Sequence, residues 1–262
     1  MSSRTFKLAT FNVNSVRMRL DLVTGWLQKH QPDVLCLQEI KVQDSDFPLD
    51  AFRQIGYQVA FRGQKAHAGV AIVSKEEPRQ VLTGLDDGGE PDHARLIRAV
   101  VAGVPIVNTY VPQGQSLDSP WYAYKLEWLA RLRRWFEQHY APDQPLAWVG
   151  DLNVAPEPID VHDPKALAKH VAFHPDVRAA LQQLKDWGFV DVFRQVHPEP
   201  GHYTFWDYRL RDAVDRNIGW RVDHIWATPP LAAKCVNAWI DVETRRAEKP
   251  SDHTFLVAEF SL

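Results

Sequence analysis

Residues 146–153 read Leu-Ala-Trp-Val-Gly-Asp-Leu-Asn, an apolar run that ends in an acidic and an amide residue. A short apolar run of this kind is typical of a strand buried on both faces of a sheet. Val34 to Leu37 form a similar run, which is followed by Glu39. The same order of features occurs at residues 16–39 and again at 122–151: a helical apolar pattern, then an apolar strand, then an acidic residue at the end of the strand. Two such halves predict an α/β fold of two packed, mixed β-sheets flanked by helices, a four-layer α/β sandwich.

Apolar spacing predicts the other elements. Ser15 is expected to cap a first helix, whose apolar face runs from Val16 to Leu27 at spacings of 4, 3 and 4. Further helices are expected at residues 122–136 and 177–184. Residues 155–175 are rich in Pro, His and Asp and are interpreted as a long surface loop. Strands are expected at residues 6–12, 57–61, 69–74, 96–101, 106–110, 221–227, 236–240 and 255–260.

The composition is that of a globular protein. The chain has 262 residues, of which 45% are hydrophobic and 24% charged, and no linker or low-complexity segment divides them. Residues 1–262 are therefore expected to form one domain. A net charge of −3 argues against a polybasic tail that grips any nucleic acid, but it allows a local basic groove.

The cysteines and the N-terminus exclude several classes of protein. Cys36 and Cys235 are too few for a disulfide framework or a four-cysteine zinc site, and no Cys/His cluster suited to zinc is expected. Met1 to Thr5 carry no apolar signal core, and no apolar run approaches the roughly 18 residues that span a bilayer. These features predict a cytoplasmic protein without a membrane partner.

Polar residues gather at the ends of the predicted strands. They are Asn12, Glu39, Tyr110, Asp151, Asn153, Asp223, Asp252 and His253. Each alone could be a turn or cap residue, but so many together indicate a site. Carboxylate and amide oxygens suit a hard cation such as Mg²⁺, which neutralises phosphate charge while a base activates water. A His oriented by an Asp could be that base or could hold a phosphoryl oxygen, and both roles stay open.

Several motifs resemble those of exonuclease III and the related abasic-site endonucleases, and they occur in family order from about residue 6 to residue 260. The motifs are Asn-Val-Asn-Ser-Val-Arg (12–17), Leu-Gln-Glu-Ile-Lys (37–41), His-Ala-Gly-Val-Ala-Ile (67–72), Asn-Thr-Tyr-Val-Pro-Gln-Gly (108–114), Gly-Asp-Leu-Asn-Val-Ala-Pro (150–156), Tyr-Thr-Phe-Trp-Asp-Tyr-Arg (203–209), Gly-Trp-Arg-Val-Asp-His-Ile (219–225) and Glu-Lys-Pro-Ser-Asp-His (248–253).

The resemblance implies a DNA-repair phosphodiesterase that uses Mg²⁺, with Mn²⁺ as an alternative. Such an enzyme cleaves DNA 5′ to abasic sites and processes 3′ ends as a 3′→5′ exonuclease and 3′-phosphatase in base excision repair. Its expected partner is double-stranded DNA with abasic sites or blocked 3′ ends, and it is expected to be a monomer. The balance among these activities and the number of metal ions stay open.

The resemblance also implies roles for individual residues. Glu39 is the principal metal ligand with Asn12 beside it, and Asp252 helps to bind metal. The remaining candidate ligands are Asp151, Asn153 and His253. Asn14 stands where some abasic endonucleases carry Asp, so a metal contact there is expected to be missing or indirect.

The catalytic roles follow the same motifs. Asp151 is the acid/base that handles the water or the leaving 3′ oxygen. Asn153 orients the scissile phosphate, and Tyr110 contacts it. Asp223 holds His253.

The expected DNA contacts form two sets. Arg17, Lys41 and Arg221 are candidates for phosphate contacts, as are Arg209 and Arg216. Phe205, Trp220 and Val222 are expected to line an apolar pocket for the baseless sugar. Arg131, Arg133 and Arg134, on the second helix, are interpreted as a solvated face.

Two alternatives compete with a DNA-repair nuclease. Deoxyribonuclease I, inositol-polyphosphate phosphatases and sphingomyelinases share the Glu, Asp, Asn and His core, but the motifs at 219–225 and 248–253 favour the DNA-repair branch. The second alternative is a binding protein on an inactive nuclease scaffold. Such a protein is expected to have lost Glu39, Asp151 or His253, and all three are present.

Overall fold

The computed structural model describes residues 4–88 and 92–262, so part of the prediction for Met1 to Thr5 lies outside the described residues. The strands are β1 (Thr5–Asn12), β2 (Val34–Gln38), β3 (Gln58–Arg62), β4 (Val70–Ser74), β5 (Arg79–Thr83), β6 (Leu96–Val101), β7 (Val104–Tyr110), β8 (Ala147–Asp151), β9 (Val190–Asp191), β10 (Asp223–Ala227), β11 (Cys235–Asp241) and β12 (Phe255–Ser261). The α-helices are α1 (Leu20–His30), α2 (Leu49–Gln54), α3 (Pro120–His139), α4 (Pro175–Asp186), α5 (Val192–Val196) and α6 (Pro229–Ala232).

The strands form two six-stranded sheets, which confirms the predicted two-sheet architecture. One sheet has the order β11-β12-β1-β2-β4-β3 and the other β5-β6-β7-β8-β10-β9. Both are mixed, because β1 pairs with β2 and β7 with β8 in parallel, while the other ladders are antiparallel. β1 and β12 come from opposite ends of the chain and pair in one sheet. The assignment of all residues to one domain stays a prediction.

The sheets pack face to face, and helices cover their outer faces. Phe6 and Cys36 of one sheet share a core with Ile106 and Ile225 of the other. On the outer faces, α1 packs against one sheet, and α3 and α4 pack against the other. Every residue of β2 and of β8 is buried, as expected for strands covered on both faces. Within the described ranges, no helix is long and apolar enough to cross a membrane.

The predicted start of the first helix is wrong. The helix begins at Leu20, its N-cap is Arg19, and Ser15 has a left-handed φ of 86°. The backbone N–H of Ser15 donates to the carbonyl of Glu39 at 2.8 Å. This segment therefore continues the contact between the ends of β1 and β2 and is not free to form a helical turn.

The interpretation of residues 155–175 as a surface loop is wrong in part. Ala155, Val161 and Phe173 form a small buried cluster, against which Trp220 packs. Asp160 in the same segment is fully buried. The segment is held inward because the Asp160 carboxylate pairs with the buried Arg221 and the partly buried Arg194, a feature that its polar composition hides.

Candidate active site

Strand register brings the predicted site residues to one end of the two sheets. In the parallel β1–β2 pair, Asn12 is the last residue of its strand, and Glu39 follows the end of β2. In the other sheet Tyr110 lies opposite Asp151, which in turn lies opposite Asp223. The apolar runs that fill the core therefore end where their polar residues converge.

Asn12 links the two sheets through its fully buried side-chain amide. Its Nδ2 donates to Oε1 of Glu39 at 2.7 Å and to Oδ2 of Asp151 at 2.8 Å. The two carboxylates are thus close, since one amide nitrogen contacts both. Glu39 and Asn153 have left-handed φ values of 50° and 51°, a strained conformation that is frequent at functional sites.

His253 is held by a buried carboxylate, as predicted. Its Nδ1 donates to Oδ2 of Asp223 at 2.8 Å, and its Nε2 lies 3.9 Å from Oδ2 of Asp151. Burial by itself lowers the pKa of His253, but the charges of Asp223 and Asp151 outweigh it and raise that pKa. The structure therefore favours an imidazolium with Nε2 directed toward Asp151.

Asp151 and Tyr110 also have raised pKa values. Burial raises the pKa of Asp151, and the charges of Asp223 and Glu39 add to the effect against that of His253. Burial likewise raises the pKa of Tyr110, with further contributions from Glu39 and Asp151. The Tyr110 phenol thus keeps its proton and can donate it in a hydrogen bond to an anionic oxygen.

The donor set fits a hard divalent cation. Ligand atoms of Asp151, Asp223 and His253 lie within 4.8 Å of one another. Glu39 forms an ion pair with Lys41, whose Nζ lies 2.7 Å from Oε2 of Glu39. The carboxylates of Glu39, Asp151 and Asp223 converge here, and oxygen ligands are those that Mg²⁺ prefers.

The other predicted ligands lie around the same centre. The backbone N–H of Asn153 donates to Oδ1 of Asp151 at 2.8 Å. Asn14 donates through Nδ2 to Oδ1 of Asp252 at 3.0 Å, and it accepts from Lys41 Nζ through Oδ1 at 2.7 Å. Asn14 therefore contacts the candidate ligand Asp252 through its side chain, and its role toward a metal stays a prediction.

A cavity of about 200 Å³ opens beside these residues. Phe205, Trp220 and Val222 line it together with His253. The Phe205 ring lies 5.3 Å from that of Trp220 and 4.9 Å from that of His253. Both aromatic residues are only partly buried and line the cavity, and Trp220 also packs against the small cluster around Val161.

Two predictions for arginines are wrong. Arg221, predicted to contact DNA, is fully buried and pairs with Asp160 and Asp191 at 2.7 Å each. Arg131, interpreted as solvated, is buried and pairs with Asp92 at 2.9 Å. Both make ion pairs with carboxylates from distant segments, which sequence spacing does not reveal. Arg17 is exposed, as a phosphate contact requires.

Residues at the cavity that sequence reasoning missed come mainly from one segment. His170 and Ala172 line the cavity, and the His170 ring lies 4.3 Å from that of Trp220. Burial lowers the pKa of His170 to about 4, so the ring is neutral near pH 7. Residues 157–174 matched no motif, and for that reason neither residue was identified.

Lys125 on α3 was also missed. It is fully buried, and its Nζ donates to the carbonyls of Gln113 at 3.2 Å, Asn153 at 2.7 Å and Val171 at 2.9 Å. Burial lowers its pKa to about 7. A signal was present, because Lys125 falls on the apolar face of the helix, four residues before Leu129. The side chain ties together three segments that border the site.

Comparison with known proteins places this arrangement in a family context. The sequence profile of the Endonuclease/Exonuclease/phosphatase family matches residues 9–253. Exodeoxyribonuclease III of Haemophilus influenzae is 35% identical, over 97% of this chain and 99% of the relative. An AP endonuclease structure from Archaeoglobus fulgidus is 52% identical with a TM-score of 0.96, over 98% of this chain and 100% of the other. The structure of the 3′ phosphatase NExo from Neisseria, bound to a product DNA hairpin, is 38% identical with a TM-score of 0.94, over 98% and 100%.

Proposed function

The chain belongs to the endonuclease/exonuclease/phosphatase family, and we propose that within it this protein is a metal-dependent DNA-repair nuclease that cleaves 5′ to abasic sites and processes 3′ ends. One observation carries the proposal: Asn12 joins Glu39 to Asp151 beside an imidazole that Asp223 holds. The names of the relatives, exodeoxyribonuclease III, AP endonuclease and 3′ phosphatase, support DNA as the substrate.

We assign the metal to Mg²⁺, with Mn²⁺ as the alternative, because the donors around Glu39 are mainly oxygens. Glu39 would hold the ion, with Asn12, Asn153 and Asp252 near it. When bound, the ion neutralises charge on the scissile phosphate. Lys41 pairs with the Glu39 carboxylate in this structure. With the ion bound to Glu39, the Lys41 ammonium would be available to contact a DNA phosphate.

The residues of the chain supply the proton transfer and the positioning. Asp151 has a raised pKa and is suited to take the proton of the attacking water. The water oxygen bonds to phosphorus, the bond from phosphorus to the 3′ oxygen breaks, and the 3′ oxygen takes up a proton from solvent. The imidazolium of His253 and the phenol of Tyr110 donate hydrogen bonds to phosphate oxygens, which are most negative in the transition state.

The cavity favours a sugar that has lost its base. Its aromatic walls, Phe205 and Trp220, flank a space of about 200 Å³. A normal nucleotide must be unstacked and then carries a base into this space, whereas a baseless sugar leaves the helix at lower cost. We therefore propose double-stranded DNA with abasic sites or blocked 3′ ends as the partner. The monomeric state and the cytoplasmic location stay predictions.

The test compares matched duplexes with an abasic analogue, a 3′-phosphate or neither, with Mg²⁺ or excess chelator, and maps the ends. Glu39→Gln is expected to reduce turnover severely on every substrate. Phe205→Ala and Trp220→Ala are expected to lower the abasic-to-intact ratio of kcat/KM by roughly 5- to 150-fold, which corresponds to about 1–3 kcal/mol, the scale of base–aromatic stacking. Trp239→Ala is the control, because Trp239 does not line this cavity. Full activity in chelator would refute metal dependence, and an unchanged ratio in both cavity variants would place the sugar pocket elsewhere.

A further inference from the structure

A second group of potential metal ligands lies outside the proposed active site. Residues 197–202 read His-Pro-Glu-Pro-Gly-His and connect α5 to the segment that carries Phe205. His197, Gly201 and His202 border a separate cavity of about 190 Å³, which Phe193 and Trp206 also line. No histidine cluster for a metal was expected from the sequence, because the two imidazoles are brought together only by the conformation of this turn.

Two imidazoles and one carboxylate meet in this turn. Oε1 of Glu199 lies 3.3 Å from Nδ1 of His197 and 2.8 Å from Nε2 of His202. One ligand atom from each side chain lies within 4.8 Å of the other two. In a tetrahedral zinc site with bonds of about 2.0–2.1 Å, ligand atoms are roughly 3.3 Å apart. Small side-chain rotations therefore suffice to place all three atoms around one ion.

The far side of the His197 ring fixes which nitrogen faces Glu199. Nε2 of His197 lies 2.8 Å from the carbonyl oxygen of Ala238 on β11. A carbonyl only accepts, so Nε2 carries the proton, and a neutral ring presents the lone pair of Nδ1 to Glu199. Two acceptors then face each other, an arrangement that a cation between them stabilises. A backbone carbonyl that holds the second ring nitrogen is also the usual support of a metal-binding histidine.

The backbone of the turn restricts the positions of the ligands before any ion binds. Pro198 and Pro200 fix their own φ angles, and Gly201 has a left-handed φ of 91°. The carbonyl of Gly201 accepts from Nδ2 of Asn217 at 2.9 Å. Ordering the ligands thus requires little further loss of backbone entropy. The imidazoles are about one-third exposed, which leaves a path for the ion and room for a water ligand.

We propose that His197, Glu199 and His202 bind one zinc ion or a similar transition-metal cation through Nδ1, the carboxylate and Nε2, with water as the fourth ligand. Two nitrogen donors suit zinc, copper, nickel or cobalt and not Mg²⁺. The ion would fasten the turn to β11 through Ala238 and would thereby support the segment that leads to Phe205. Its expected contribution is to stability, and the proposal does not depend on the function assigned to the other site.

The test measures Zn²⁺ binding by isothermal titration calorimetry and by the shift in Tm, with excess Mg²⁺ present so that the first site is occupied. The wild-type chain is expected to bind one equivalent of Zn²⁺ with a Kd of about 1 µM or tighter. His202→Gln and Glu199→Gln are expected to bind it roughly tenfold or more weakly, as loss of ligand support does elsewhere. His162→Gln, an exposed histidine outside the cluster, is the control.

The Co²⁺ spectrum supplies a second readout. The wild type is expected to give the visible absorption of a four-coordinate ion, and His202→Gln is expected to lose it. Far-UV circular dichroism and Mg²⁺-dependent nuclease activity are expected to be unchanged in these variants, which shows that they fold. The proposal is overturned if the wild type binds no Zn²⁺ under these conditions, or if His202→Gln and Glu199→Gln bind it as tightly as the wild type.

Discussion

Replacement of Arg221 by Met is expected to destabilise the fold while leaving the contact with DNA phosphates intact. The Arg221 side chain is fully buried, with Nε 2.7 Å from Oδ1 of Asp160 and Nη2 2.7 Å from Oδ2 of Asp191. Methionine fills much of the same volume but carries no charge. The variant therefore leaves two buried carboxylates with one cation fewer.

The magnitude follows from the ionisation of Asp160. Burial by itself raises the pKa of this carboxyl, but Arg221 and Arg194 outweigh it and lower the pKa from 3.8 to about 2. A depressed pKa stabilises the fold above the unfolded value, and the stabilisation is lost as the pH falls from about 4 through about 2. At pH 7 it is fully present and amounts to about 2 kcal/mol. Asp191 loses its partner as well, so the total loss is expected to reach about 3–5 kcal/mol, the usual range for a broken buried ion pair.

The assay is urea unfolding at pH 7, followed by tryptophan fluorescence. Arg246→Met is the matched control, because Arg246 forms an exposed pair with Asp215 at 2.6 Å. Its loss is expected to change the free energy of unfolding by about 0–1 kcal/mol. A parallel measurement of DNA affinity at several salt concentrations separates a role in the core from a contact with DNA. A lost phosphate contact lowers the slope of log affinity against log salt concentration by about 1. If Arg221→Met keeps the wild-type stability and lowers the salt slope, Arg221 contacts DNA and its assignment to the core is refuted.

Three further predictions concern buried polar groups. Asp223→Asn is expected to lower kcat and to move the alkaline limb of the pH–rate profile to lower pH, because His253 loses the charge that raises its pKa; an unmoved limb would contradict the pairing. Lys125→Met is expected to lower the free energy of unfolding by about 1–3 kcal/mol, since three carbonyls lose a donor. It is also expected to lower kcat more than it changes KM, whereas the exposed control Lys165→Met is expected to change neither stability nor kinetics. Burial lowers the pKa of His224 from 6.5 to about 4, so the unfolded chain binds more protons than the folded chain between these pH values. The free energy of unfolding is therefore expected to fall by about 3 kcal/mol as the pH drops from 6.5 to 4. The same change in urea midpoint from pH 8 in the wild type and in His224→Gln would contradict this prediction.

The buried strands and the residues that follow them could be predicted from the sequence. An apolar run such as Val34 to Leu37 has few stable places in a globular protein other than a doubly covered strand, and β2 and β8 are such strands. A polar residue at the end of such a run lies at the end of a buried strand, which is where Glu39 and Asp151 are found. Short elements such as α2 and α5, and the exposed edge strand β5, carry too little periodicity for this argument.

The surroundings of individual polar side chains were decided by the tertiary structure. Arg221 lies beside predicted cavity residues in sequence, yet its partners Asp160 and Asp191 are 61 and 30 residues away. Serine often caps helices, but a hydrogen bond from the backbone N–H of Ser15 to the carbonyl of Glu39 holds Ser15 in a left-handed conformation. Apolar burial depends on local pattern, because nearly any neighbour can cover a hydrocarbon surface. A charge or a hydrogen-bonding group needs a partner at one distance and angle, and only the folded chain supplies that partner.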